Sequence, residues 1–235
     1  MDKSEKAAAL YLSHQGYTNI KFEPDGNIPP DFVIDNRIAV EVRRLNQHFQ
    51  TGDKTRGLEE AEYPLVSKLQ KLLKQLGPTP PKESWYVFFQ FSRPLPKWRI
   101  IKDHITQHLS HFSSLGCREN SDFRLTRNFK YHVAQTGELK DTYFRYGGHN
   151  DHDSGGWVVA EIIRNLDICV KEKSEKTAKY RSRYSEWWLV LPDHIGRGLL
   201  DENDKQQLRT AFKMRQDWDR IILVNPENPV HGFDI

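Results

Sequence analysis

Asp31, Glu41 and Arg43 are the residues whose types and spacing could do chemistry. They stand in the stretch Pro29-Pro30-Asp31-Phe32-Val33-Ile34-Asp35-Asn36-Arg37-Ile38-Ala39-Val40-Glu41-Val42-Arg43. Two carboxylates side by side are hard oxygen ligands, and Mg²⁺ is commonly bound through one or two carboxylates plus phosphate oxygens and water. A nearby arginine adds a fixed cation that can orient a phosphate or a water. What must position the three is a hairpin. Phe32–Ile34 and Ile38–Val42 read as short strands rich in branched and aromatic residues, separated by an Asp-Asn turn signal. With Asp35-Asn36-Arg37 as the loop, Ile34 faces Ile38, Phe32 faces Val40, Val33 faces Ala39 and Asp31 faces Glu41. The bulky apolar pairs then share one face and the two acids the other, the register that burial selects. Side chains alternate along a strand, so Glu41 and Arg43 point the same way. Directly opposed like charges are destabilising, and a divalent cation is the candidate that offsets them.

Pro30-Asp31, nine residues, then Glu41-x-Arg43 on a two-strand hairpin resembles the signature of the PD-(D/E)XK nuclease superfamily, the restriction-endonuclease-like fold. The resemblance covers roughly residues 5–91 by motif and element order. It implies a metal-dependent phosphodiesterase acting on DNA, with Asp31 and Glu41 holding Mg²⁺ or Mn²⁺. Arg43 stands where the family carries a lysine, and arginine cannot serve as a general base. In the family a basic residue from a neighbouring element can replace the motif lysine, and Lys68 is the candidate. An acid on the first helix sometimes joins the metal site, which points to Glu5. The Arg43 departure also keeps a second expectation: a nuclease-like fold without chemistry, serving as a nucleic-acid- or protein-binding module.

Around the hairpin the chain predicts a helix over Ser4–Gln15, with Ser4 as its cap, and a strand over Asn19–Glu23. A polar segment, 46–57, reads as a long loop leaving the Glu41 strand, in the position of a lid. Pro64–Gln75 reads as a helix with Leu65, Leu69, Leu72, Leu73 and Leu76 as its buried stripe and Lys68 on another face. Trp85–Phe91 reads as a buried central strand, and Pro96–Phe112 as a helix carrying His104, His108 and His111 at a spacing able to bind zinc. Residues 113–156 read as an added hairpin and loop, with strands at Phe123–Val133 and Thr142–Tyr146. There Arg124, Arg127, Lys130 and Arg145 interleave with Tyr131 and Phe144, a composition suited to phosphate contact and base stacking. The Gly-flanked run 147–156, with His149, Asp151, His152 and Asp153, reads as a loop first and a metal site second. Val158–Tyr180 reads as a helix whose later part offers a basic, phosphate-binding face with Lys173, Lys176, Lys179 and Arg183. Strands at Trp187–Leu191 and Arg220–Asn225 and a helix at Glu202–Met214 complete the pattern.

Strands alternating with helices predict an α/β fold, a mixed central sheet flanked by helices on both faces, in a single domain over residues 1–235. A formal net charge of +3 does not by itself announce a nucleic-acid binder, so the local clusters carry that expectation. DNA is the expected partner, with RNA and a homodimer left open. No apolar run approaches a membrane span, and the first residues lack the pattern of a signal peptide. The two cysteines, Cys117 and Cys169, fit free thiols in a reducing cytoplasm. No Gly-rich phosphate loop, serine nucleophile elbow or zinc quartet is visible.

Overall fold

The structure, a computed structural model, describes residues 1–51, 54–212 and 217–235, without the side chains of 50, 51 and 54. The chain opens with α1 (Lys3–His14), β1 (Ile20–Phe22), β2 (Phe32–Ile34), β3 (Ile38–Val42), β4 (His48–Thr51) and β5 (Lys54–Gly57). It continues with α2 (Leu58–Leu73), β6 (Trp85–Phe91), α3 (Trp98–Ser114), β7 (Ser121–Thr126), β8 (Phe129–Gln135) and β9 (Phe144–Asp151). Then come α4 (Val158–Thr177), a 3-10 segment (Ala178–Arg183), β10 (Glu186–Pro192), α5 (Glu202–Ala211), β11 (Arg220–Val224) and β12 (Gly232–Asp234). The architecture is mixed α/β, in two compact units: residues 1–48 with 155–235, and residues 49–154. The second unit contains nearly all of the stretch 113–156 read as an added hairpin and loop, together with α2, β6 and α3 before it. Trp85–Phe91 is as apolar as any central strand, and apolarity does not say which sheet a strand joins.

The first unit is built on a six-stranded sheet in the order β1-β2-β3-β10-β11-β12. β1, β2 and β3 run antiparallel, β3, β10 and β11 are parallel neighbours, and β12 returns antiparallel. The hairpin has the expected register, Phe32 opposite Val40, Val33 opposite Ala39 and Ile34 opposite Ile38. Its turn holds Asp35 and Asn36 at φ 52° and 54°, a left-handed region that Asp and Asn tolerate better than most residues. One sheet face packs on α1, with Phe32, Ile34 and Val40 against Ala8, Tyr11 and Leu12. The other face, with Ala39, Leu189 and Leu191, meets Ile162, Leu166, Cys169 and Val170 of α4 and Leu208 of α5. Every residue of β2 and β3 is consequently buried, Glu41 included.

Helix α1 starts earlier than expected. Asp2, not Ser4, is its cap, with the Glu5 N–H donating to Asp2 Oδ1 at 2.8 Å and the Asp2 N–H to Glu5 Oε2 at 2.5 Å. This reciprocal box satisfies two of the helix's unpaired N-terminal donors. The helix expected over Glu202–Met214 is described to Ala211, and residues 213–214 lie outside the described residues.

The second unit carries a four-stranded sheet in the order β7-β8-β6-β9 and the two-stranded pair β4-β5. The expected lid loop is this pair, with residues 52 and 53 outside the described residues. Helix α2 begins at Leu58 rather than at Pro64. The expected Phe123–Val133 strand is two strands, β7 and β8, turning at Arg127-Asn128. Leu65, Leu69, Leu72 and Leu73 of α2 and Ile101, Ile105, Leu109 and Phe112 of α3 form one core with Trp85, Val87, Phe89 and Phe91 of β6. Both helices thus lie on one face of this sheet. Among the described residues no helix is long and apolar enough to cross a membrane.

Candidate functional site

Asp31 sits one residue before β2, where the ladder with β3 has run out. Along β3 the N–H groups alternate sides, and the N–H of Arg43 donates toward β10, to Val190 O at 3.1 Å. The N–H of Val42 therefore points to the β2 side, where the Asp31 carboxylate takes the place of a backbone acceptor. Val42 N–H donates to Asp31 Oδ2 at 2.7 Å. That bond fixes the acid beside Glu41, on the sheet face that α4 covers.

Glu41 is fully buried. A carboxylate there needs compensation, and α4 supplies it. Lys173 Nζ donates to Glu41 Oε2 at 2.6 Å and lies 3.7 Å from Asp31 Oδ2, so one ammonium touches both acids. Lys176 Nζ reaches Glu41 Oε2 at 3.7 Å while remaining half exposed. Burial pushes the Glu41 carboxyl up, with Lys173 pulling against it and Asp31 adding to the rise. Burial also works against the charge on Lys173, but Glu41 and Asp31 outweigh it and hold the ammonium above its ordinary range. Glu41 Oε1 has a different standing: it is buried and has no hydrogen-bond partner. An acceptor left that way is costly, and it leaves this buried oxygen with open coordination.

Arg43 shares the Glu41 side of β3 but turns to other partners. Its Nε contacts Glu172 Oε2 at 3.1 Å, Nη1 donates to Arg44 O at 3.3 Å, and Nη2 lies 3.2 Å from His48 Nε2. His48 Nδ1 is 3.0 Å from Asn165 Oδ1, which also accepts the His48 backbone N–H at 2.9 Å. Arginine only donates, so this chain of contacts assigns the proton to Nδ1 and leaves Nε2 to accept from Arg43. Asn165 is itself anchored, donating to Glu161 O at 2.7 Å.

The structure thus brings Asp31, Glu41, Lys173 and Lys176 together, with Arg43 beside them in its own network. The remaining candidates have other partners. Glu5 is occupied in the α1 capping box, as first-turn acids commonly are. Lys68 belongs to the second unit, exposed on α2 with its Nζ 5.7 Å from the Trp98 ring. Lys173, expected on a phosphate-binding surface, is instead buried with the acids. Lys179 and Arg183 lie outside the cluster, both against the Tyr180 ring at 4.9 Å, with Arg183 Nη1 also 3.1 Å from Asp25 Oδ2.

Lys173, Glu172, His48 and Asn165 were the functional candidates that sequence reasoning missed or misplaced. One signal for Lys173 was present. It continues the stripe Ile162, Leu166, Cys169, Val170 at helical spacing, and a lysine on such a stripe needs a buried partner. Elsewhere, the rings of His104 and His108 stand 4.1 Å apart, but among the described residues no group of three or more His, Cys, Asp or Glu side chains is arranged to hold a metal. The run 147–156 is largely strand and turn. Its Asp151 and Asp153 clasp Arg93 at 2.7 and 3.1 Å, and its His149 pairs with Glu62 at 2.8 Å. Compared with family models, curated proteins and solved structures, the chain finds no match.

Proposed function

We propose that the chain is a metal-dependent phosphodiesterase acting on DNA, with Asp31, Glu41 and Lys173 as its working residues. The observation that carries this is the meeting of two strand-borne carboxylates and one buried ammonium at a single point. The order helix α1, strand β1, hairpin β2–β3 supports it, being the element order that the PD-(D/E)XK resemblance implies. Lys173 from α4 stands as the basic residue from a neighbouring element, the role first looked for in Lys68.

The donor set fits a hard cation such as Mg²⁺ or Mn²⁺: Glu41 Oε1 is unsatisfied, and Asp31 is a second carboxylate beside it. Such an ion, when bound, supplies charge stabilisation at the phosphoryl oxygens and a more acidic water. The chain's own residues do the rest. Asp31, fixed by Val42 N–H, and Glu41, fixed by Lys173, hold two oxygens in place without side-chain rearrangement. Lys173 keeps its proton, so it orients a water or a phosphate oxygen as a donor rather than acting as a base. Lys176, half exposed, is placed to meet an incoming phosphate, and Arg43 is a fixed cation held by Glu172 and His48.

A second reading has its own observation. The two acids of the cluster are matched by two lysines, so no net negative charge is left to draw in a cation. On that basis the same fold serves as a binding module without chemistry. Mn²⁺ titration by calorimetry, run beside DNA cleavage in Mg²⁺ and in Mn²⁺, separates the two. The enzyme predicts saturable Mn²⁺ binding that Glu41→Gln and Asp31→Asn each abolish, and cleavage that is lost with it. A parent protein that neither binds Mn²⁺ nor cuts DNA would leave the binding module.

A further inference from the structure

The sheet of the second unit has one face covered by α2 and α3 and one that no helix of that unit covers. Strand alternation places Tyr86, Phe88 and Gln90 of the interior strand β6 on the uncovered face, opposite the buried Trp85, Val87, Phe89 and Phe91. Neighbouring strands add Arg124 of β7, Lys130 and His132 of β8, and Arg145 and Asn150 of β9. Phe88 is 37% exposed at the middle of a sheet, where an apolar ring has every reason to be covered. A β-bulge explains its pose. The β6–β9 register shifts at Val87/Phe88, and a Cβ on Gly147 would lie 2.7 Å from the Phe88 ring, so the ring rests against a residue that must be glycine. The Tyr86 ring stands 6.0 Å from it.

On this face Arg124, Lys130 and Arg145 outnumber the one strand-borne acid, Asp122. Arg124 and Lys130 are direct cross-strand neighbours, a like-charge pair that costs stability unless an anion offsets it. Among the described residues no carboxylate pairs with either one. The acids nearby are already engaged, Asp122 with His132 at 3.0 Å and Asp141 with Arg145. An exposed ring in the middle with a half-buried one beside it, and unmatched cations one and two strands away, are the two elements that bind a single strand: stacking for bases, positive charge for phosphates. We infer that this face binds single-stranded nucleic acid, with bases on Phe88 and Tyr86 and phosphates on Arg124 and Lys130. The basic and aromatic residues of 123–146 are thereby sorted. Tyr131 and Phe144 belong to the core, while the stacking rings come from β6.

The test is fluorescence anisotropy with a labelled oligo(dT) of about sixteen nucleotides, an oligo(U) of equal length and a duplex control. All are read in EDTA across a salt series, so that the presence or absence of cleavage does not enter. The expected result is tighter binding of both single strands than of the duplex. Phe88→Ala should weaken it about tenfold with the salt slope unchanged. Arg124→Ala with Lys130→Ala should flatten the log–log slope by roughly 1.4, two phosphates' worth. Phe88→Trp, which keeps a ring over Gly147, should retain parent affinity and show tryptophan quenching on binding. Equal affinity for duplex, or parent-like binding by Phe88→Ala, would overturn the inference. So would failure of Phe88→Trp to bind, or a parent that ignores nucleic acid and self-associates through this face in sedimentation.

Discussion

The two sheets of this protein treat their second face in opposite ways. In the first unit α4 covers it, so an acid on β3 is fully buried and its counter-charge has to arrive from the covering helix as Lys173. In the second unit no helix of that unit covers it, so β6 presents Phe88 outward and β7 and β8 present paired cations. A covered face turns polar residues into a closed, mutually dependent cluster. An uncovered one leaves them available one at a time.

Substitution at adjacent residues of β6 gives the largest contrast. Phe89→Ala should destabilise by about 4 kcal/mol, because it empties a fully buried site. Phe88→Ala, one residue away on the open face, should cost under about 1 kcal/mol. Urea midpoints of the two variants check this, and comparable losses would mean that the outer face is packed.

A smaller loss, about 3 kcal/mol, is expected for Lys173→Met, which strips a buried Glu41 of its partner. Pairing it with Glu41→Gln should recover most of that stability, since the double variant buries no lone charge. A thermal melt showing the double variant no better than the single would contradict mutual dependence.

The two thiols should differ as the two environments do. Cys169 is fully buried on α4, and burial pushes its thiol up to about 12, whereas Cys117 is exposed. At pH 8 an aromatic disulfide reagent should react with one thiol promptly and with the second only on unfolding. Two prompt equivalents would place α4 less firmly against the sheet. The smallest effect concerns Glu5→Ala, which should cost well under about 1 kcal/mol by loosening the α1 cap and leave Mn²⁺ binding unchanged.

What the sequence disclosed followed locality. The hairpin at 32–42 was legible down to its register because alternation and turn chemistry act within a dozen residues. The inward faces of α2 and α3 were legible from their 3.6-residue period. Lys173 could not be joined to Glu41 by any local pattern, since 132 residues separate them. Its place on an apolar stripe was the trace, outweighed by the basic residues around it. Phe88 escaped because its strand reads Trp-Tyr-Val-Phe-Phe-Gln-Phe, where aromatic residues on both faces hide the two-residue period. Arg43, read as a phosphate contact, has a carboxylate and a histidine as present partners, which a motif cannot show.

The central claim is that Lys173, on α4, completes the site begun by Asp31 and Glu41. It is tested most directly by DNA cleavage in Mg²⁺ and in Mn²⁺ with the parent, Glu41→Ala, Lys173→Met and Lys68→Ala, each first shown to be folded at the assay temperature. The account predicts that Glu41→Ala and Lys173→Met both abolish cleavage while Lys68→Ala cuts like the parent. Parent-level cleavage by folded Lys173→Met, or its loss in Lys68→Ala alone, would contradict it.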